Sequence, residues 1–200
     1  MALAFLFVSC QKENALPGEP ATIKPLSSIS KSTTPALPSF TTYTIPEGAH
    51  YCDKSTFQQI TVSELKFTVK FDSSAIYEST DPVDQYDINK LYGFSEYLPD
   101  NHINSARIGW NWRDGQLWLY PYTYVNGVTP IDPAPLATVP LNTEIECSIK
   151  LAPNQYVFTV NDNSVSVPRA GIDTVITASQ LYPYFGGNEV APHEIHLYIK

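Results

Sequence analysis

Between residues 106 and 125 one stretch gathers side chains suited to holding a polar ligand. Asp114-Gly115 is a strong two-residue turn signal between two alternating runs, so the stretch predicts a hairpin in which Arg113 faces Gln116. Counting outward, Trp112 faces Leu117, Trp110 faces Leu119, Ile108 faces Pro121 and Ala106 faces Thr123. Side chains alternate across a strand, so these residues share one side, which is apolar and belongs to a core. The opposite side carries Arg107, Asn111, Arg113, Trp118, Tyr120, Tyr122 and Tyr124, with Gly109 opening room between the rings. Flat rings cover the C–H faces of a sugar, while guanidinium, amide and phenol groups bond its hydroxyls and carboxylates. These seven residues are therefore the expected ligand-binding set, with a polysaccharide or oligosaccharide as partner. Two other uses of the face stay open. Either the rings simply pack beneath a loop or second sheet, because aromatic cross-strand pairs stabilise hairpins by themselves, or they form a protein interface.

Other groupings are less complete. Asp81, Asp84, Asp87 and Asn89 offer oxygen ligands of the kind calcium takes, but their spacing is not that of an EF-hand loop. No other cofactor is suggested. Lys90 and Tyr92 lie in a polar-aromatic segment that either contributes to a site or packs as a crossover loop. Glu144 and Glu146 fall two apart on an expected strand, roughly 6.6 Å along the chain, a separation that glycosidase carboxylates also use. The E-x-D-x-x-E pattern of jelly-roll glycosidases is incomplete, because Ile149 and Lys150 occupy the last positions. A polysaccharide lyase needs a group to neutralise a uronate carboxylate and a Tyr or His to move the proton. Arg107, Asn111 and Tyr122 suit those roles, with His102, His193 and His196 as further bases. Tyr184-Phe185-Gly186-Gly187 is faintly similar to the Tyr-Phe motif of alginate-lyase jelly rolls, whose Gln-Ile-His and Arg-rich motifs are missing. His193 and His196 have opposite strand parity, which argues against a shared metal ion. No catalytic signature is complete, so binding is expected ahead of catalysis.

The elements that must position these residues are strands. Leu65, Phe67, Val69 and Phe71 alternate with polar residues, as do Ile145, Cys147 and Ile149; Tyr156, Phe158 and Val160; and Ile195, Leu197 and Ile199. Asp114-Gly115, Asn126-Gly127, Pro153-Asn154 and the run from Asn161 to Asn163 mark turns. No window after Glu47 has a helical period. Nine to eleven strands are expected, in an all-β, two-sheet antiparallel sandwich of jelly-roll type. The composition agrees: 16% charged residues, 13 Tyr, 9 Phe and 3 Trp. The net charge of −8 and the lack of a basic run exclude a nucleic-acid partner and disfavour anionic membrane surfaces. Cys52 and Cys147 either pair in an oxidising compartment or stay as buried thiols.

The N-terminus points to export. Residues 2–8 form an apolar run too short to span a bilayer but suited to a secretory leader. Phe7-Val8-Ser9-Cys10 resembles a bacterial lipobox, with Cys10 as the lipidation site. It departs from that pattern in Phe7 and in having no basic residue ahead of the apolar run. Gln11-Lys12-Glu13-Asn14 resembles an export tag of Bacteroidota-type lipoproteins. Residues 1–9 thus read as a signal peptide with its start in doubt. Residues 10–46 read as an anchor with a Pro/Ser/Thr-rich spacer, and 47–200 as the sandwich domain. The stretches 85–94, 105–110 and 181–193 together resemble a group of Bacteroidota-type surface lipoproteins with a concanavalin-like jelly-roll domain. That resemblance implies a fold and an outer-membrane, surface-exposed location, with the membrane met only through the lipid. It brings no substrate or catalytic residues.

Overall fold

In the computed structural model the described residues are 39–96, 100–129 and 133–200. The leader, Cys10 and most of the spacer lie outside them. Alternation along the chain is realised as twelve strands among the described residues, more than the nine to eleven expected, with only two single-turn 3₁₀ segments, Ser73–Ala75 and Asp84–Tyr86. The strands are β1 (Thr41–Ile45), β2 (Gln59–Val62), β3 (Glu64–Phe71), β4 (Asn89–Ser95), β5 (Ser105–Arg113) and β6 (Gln116–Tyr124). They continue as β7 (Ala137–Val139), β8 (Ile145–Ala152), β9 (Gln155–Val160), β10 (Asn163–Pro168), β11 (Ile176–Leu181) and β12 (Ile195–Ile199). Two antiparallel sheets result: β1-β12-β3-β8-β9-β10 and β2-β11-β4-β5-β6-β7. This is a jelly-roll sandwich.

The folded part starts earlier than Glu47. Tyr43 and Ile45 are buried while Thr42 and Thr44 are not, and β1 pairs with β12 from Thr41↔Ile199 to Ile45↔Ile195. The spacer reading over-reached because prolines on both sides masked one five-residue alternation. Pro46, with no N–H to donate, follows directly after the strand.

The β5–β6 register follows the turn. Asp114 and Gly115 have φ of 53° and 70°, the two left-handed residues that a type I′ hairpin needs. Every pair from Arg113↔Gln116 to Ala106↔Thr123 forms as the alternation predicts. Ladder alternation from the turn places Pro121 where its nitrogen points away from β5, and β7 pairs only with Leu117, Trp118 and Leu119. The missing donor therefore interrupts no ladder.

The inward side of the hairpin meets the other sheet. Trp110 has no exposed surface, and its ring centroid lies 5.5 Å from that of Phe71 and 5.9 Å from that of Tyr77. Phe94 and Tyr156 continue the packing with centroids 6.2 Å apart. Burying each such ring contributes about 1.5–3 kcal/mol. Cys52 and Cys147 are buried free thiols, the second of the two alternatives. Burial alone pushes Cys147 up to about 12, which makes it inert.

Candidate functional site

The outward side of the second sheet is ordered by register. Tyr122, Arg107, Gly93 and Leu181 form one cross-strand row, and Tyr124, Ser105, Ser95 and Ser179 form the next. Gly93 matters here because any side chain on it would overlap the backbone at Ala106 and the stem of Arg107. The Arg107 side chain thus lies flat across Gly93. It is 5% exposed, and its guanidinium carbon sits 5.4 Å from the Tyr122 centroid. Among the described residues it has neither a hydrogen-bond acceptor nor a carboxylate partner, and its Nε is buried and unpaired.

Lys90 joins it from β4. Its Nζ lies 4.7 Å from the Tyr122 centroid and 5.9 Å from that of Tyr184. The backbone of Lys90 exchanges two hydrogen bonds with that of Tyr184, at 2.8 and 2.9 Å, which sets Tyr184 beside β4 in line with β11. His50 stacks on the far side of Tyr184 at 5.2 Å. Arg107, Lys90, Tyr122 and Tyr184 line a cavity of about 240 Å³ that also reaches His102 and Tyr124. A more open groove of about 600 Å³ shares Tyr51, Asn101, Arg107 and Tyr184 with it and runs on past Phe57, Ser179 and Gln180.

Electrostatics in the cavity follow from two cations in a dry place. Burial, then the charge of Arg107, push the Lys90 ammonium down to about 8, against a pull upward from Asp87. Burial, then Tyr124, push the Tyr122 phenol up to about 12. A depressed Lys means that the unfolded chain holds the proton more tightly, so stability rises with pH between about 8 and 10.5. Chemical denaturation at about pH 7 and about pH 9.5 is expected to show a gain on the order of 1 kcal/mol. Lys90→Met should abolish that gain; an identical pH profile for both proteins would refute it.

The remaining expected residues divide in two. Asn111 and Tyr120 are enclosed at 0% and 3% exposure. Asn111 Nδ2 donates to the Tyr86 carbonyl at 3.3 Å, and the Tyr120 hydroxyl donates to Asn111 Oδ1 at 3.0 Å. They hold the covering segment that contains the Asp84–Tyr86 turn. The room expected above Gly109 is filled by Ile88, which a methyl group there would overlap. Gly109→Ala is therefore expected to cost about 1–3 kcal/mol and to loosen residues 84–89, as read by thermal denaturation and hydrogen exchange. Beyond the segment, Arg113 stacks between Trp118 at 4.9 Å and Tyr86 at 5.3 Å. Arg113 and Trp118 thus stand apart from Arg107, Tyr122 and Tyr124.

Other candidates have structural partners. Asp84 and Asp87 accept hydrogen bonds from Asn188, Asp81 caps Val83, and Asn89 is tied to Tyr77 and Gly186. These oxygens fasten two loops rather than converging on an ion. Among the described residues no group of three or more His, Cys, Asp or Glu side chains could hold a metal. Glu144 precedes β8 and pairs with Lys200 at 2.9 Å. His193 bonds the Ser74 carbonyl at 2.9 Å, and His196 lies 3.4 Å from Thr44 Oγ1 and 3.2 Å from Glu194, so of the three expected histidines His102 alone lines the cavity. The expected set missed Tyr51, Tyr184 and the groove residues Phe57 and Gln180.

No family model and no curated protein matches the chain. Among solved structures, the alginate lyase AlyC3 matches at 9% identity and a TM-score of 0.52, over 80% of this chain and 72% of that one. The marine PL7 alginate lyase AlyA1 from Zobellia galactanivorans matches at 15% identity and 0.46, over 80% and 62%. A structure from work on endo-acting O-glycanases of the human gut microbiota matches at 8% and 0.48, over 80% and 76%. What the chain shares with AlyC3 is the jelly-roll fold.

Proposed function

We propose that this chain is a surface lipoprotein, anchored through Cys10, whose jelly-roll domain binds an acidic glycan in the cavity at Arg107 and Lys90. One observation carries the reading. A guanidinium is buried beside an ammonium, and among the described residues no anion accepts from it. Such a charge is costly unless something pairs with it, and the planar fork of Arg fits a carboxylate in a bidentate manner. The aromatic walls from Tyr122, Tyr184 and Tyr51 suit sugar C–H faces. The fold shared with an alginate lyase supports a glycan as the ligand class.

The test is calorimetric titration of the full chain with acidic and neutral polysaccharides. Acidic polymers should bind, more weakly as salt is added, and Arg107→Met should weaken them at least tenfold. Equal binding of neutral and acidic glycans would overturn the reading.

A second reading is a polysaccharide lyase, favoured by the phenols of Tyr122 and Tyr184 and the ring of His102 lining the same cavity as Arg107. Arg107 would neutralise the uronate carboxylate, the His102 imidazole would take the proton, and a phenol would give one to the departing glycosidic oxygen. Asn111, enclosed beneath the covering segment, plays no part in it. Absorbance from unsaturated uronate products, lost in Arg107→Met, separates catalysis from binding.

A further inference from the structure

We infer that the cavity takes a chain end: one terminal acidic sugar sits against Arg107 and Lys90, and the rest of the glycan leaves through the groove past Tyr51 and Phe57. This rests on the acidic-glycan reading above and adds which part of the glycan is recognised.

The walls require it. The outward face of β4–β6 does not run open along the strands. Ile88 lies directly on Gly109, and beyond it Asn111 and Tyr120 are covered. The 184–187 segment closes over the same place. A side chain on Gly186 would overlap Lys90 Nζ and the Ile88 carbonyl, and one on Gly187 would overlap the Asp87 carboxylate. Gly186 N donates to the buried Asn89 Oδ1 at 2.7 Å, and Asn188 ties to both Asp84 and Asp87. The two segments are thus interlocked, and the cavity stops against them.

Size points the same way. At about 240 Å³ the cavity falls below the roughly 300–1,000 Å³ typical of pockets for drug-sized ligands, which leaves room for a single sugar ring. Among the described residues, continuation exists in one direction. The groove of about 600 Å³ begins at the residues that the cavity shares with it, Tyr51, Asn101, Arg107 and Tyr184. Tyr51 and Phe57 on its rim are 66% and 75% exposed, and the Tyr51 ring meets that of Tyr184 edge-on at 5.0 Å. Large apolar rings held out at the mouth of a charged cavity are placed to stack on the sugars that follow the first. The arrangement therefore separates charge recognition, at the closed end, from length recognition, at the open end.

The experiment titrates the full chain with alginate and polygalacturonate as a size series, from monosaccharide through oligomers to the parent polymers. End recognition predicts that affinity per molecule levels off at short oligomers. It also predicts that cutting a polymer by hydrolysis at constant mass raises occupancy as ends are created. Phe57 lines the groove but not the cavity, so Phe57→Ala should weaken oligomer binding roughly three- to tenfold while leaving the monosaccharide unaffected. Affinity that keeps rising with length, with polymer competing per residue as well as oligomers do, would overturn end recognition and leave the acidic-glycan reading standing. Absence of binding to every member of both series overturns the acidic-glycan reading itself, and this inference with it.

Discussion

Arg107→Met is expected to make the domain more stable while it weakens acidic-glycan binding. The usual outcome for a buried residue runs the other way, because truncation leaves a void or strands a partner. Arg107 strands nothing: among the described residues no carboxylate or carbonyl accepts from it. Burial and the neighbouring Lys90 ammonium both oppose its charge. Methionine keeps the unbranched stem across Gly93 and removes that charge, and replacing buried ionic groups with packed apolar ones stabilises by about 1–4 kcal/mol. At the lower end this raises the melting temperature by roughly 2–4 °C. Binding should fall in the same variant by roughly tenfold to a hundredfold, the worth of one or two hydrogen bonds to a charged group. Thermal denaturation and titration of one preparation read both. A destabilised variant that still binds would make the guanidinium a structural group.

Glu96→Ala is expected to be strongly destabilising. Glu96 follows β4 in the second sheet, yet it takes the whole fork of Arg169, which follows β10 in the first. Nε donates to Oε1 at 2.7 Å and Nη2 to Oε2 at 2.9 Å. The Tyr156 hydroxyl, from β9, donates to the same carboxylate. Nη1 of Arg169 reaches the carbonyls of Gly171 at 3.1 Å and Asp173 at 2.6 Å, so the fork also fixes the loop before β11. The Arg169 side chain is 1% exposed. Removing Glu96 leaves that charge without an anion, at a cost of about 3–5 kcal/mol, or a fall of roughly 6–20 °C in melting temperature. Adding Arg169→Met should recover much of the loss. An unchanged melting temperature in the single variant would show that the pair bridges nothing.

The hairpin was legible because its cause is local. An Asp-Gly turn sets the register, and period-two alternation then assigns every side chain to a face. What lay over that face was not legible. Asn111 and Tyr120 look like Arg107 and Tyr122 in an alternation pattern, but the 84–88 segment arrives from earlier in the chain and covers the first two only. Lys90 and Tyr92 show how far parity can mislead. They are two apart and should share a face, yet the ladder shifts between them. Lys90 then pairs with Gly109 on the outward side. Tyr92 pairs with Ile108 and packs inward against Phe67 at 5.3 Å. Tyr184 and Tyr51 reach the site through loops, whose course no periodicity encodes. Glu96 and Arg169 are 73 residues apart, so their pairing exists only in the finished fold.

The place of β12 has a consequence for the order of events during biosynthesis. It is the last of the described strands in the chain, yet in its sheet it lies between β1 and β3. Until residues 195–199 are available, β1 has no neighbour and β3 has one open edge. A nascent chain therefore cannot complete the sandwich from its N-terminal end. Closure waits on pairings such as Thr41↔Ile199, which span nearly the whole domain, and non-local pairings of this kind make folding slow. For the exported lipoprotein proposed above, that delay would keep the chain extended until its passage across the membrane is complete.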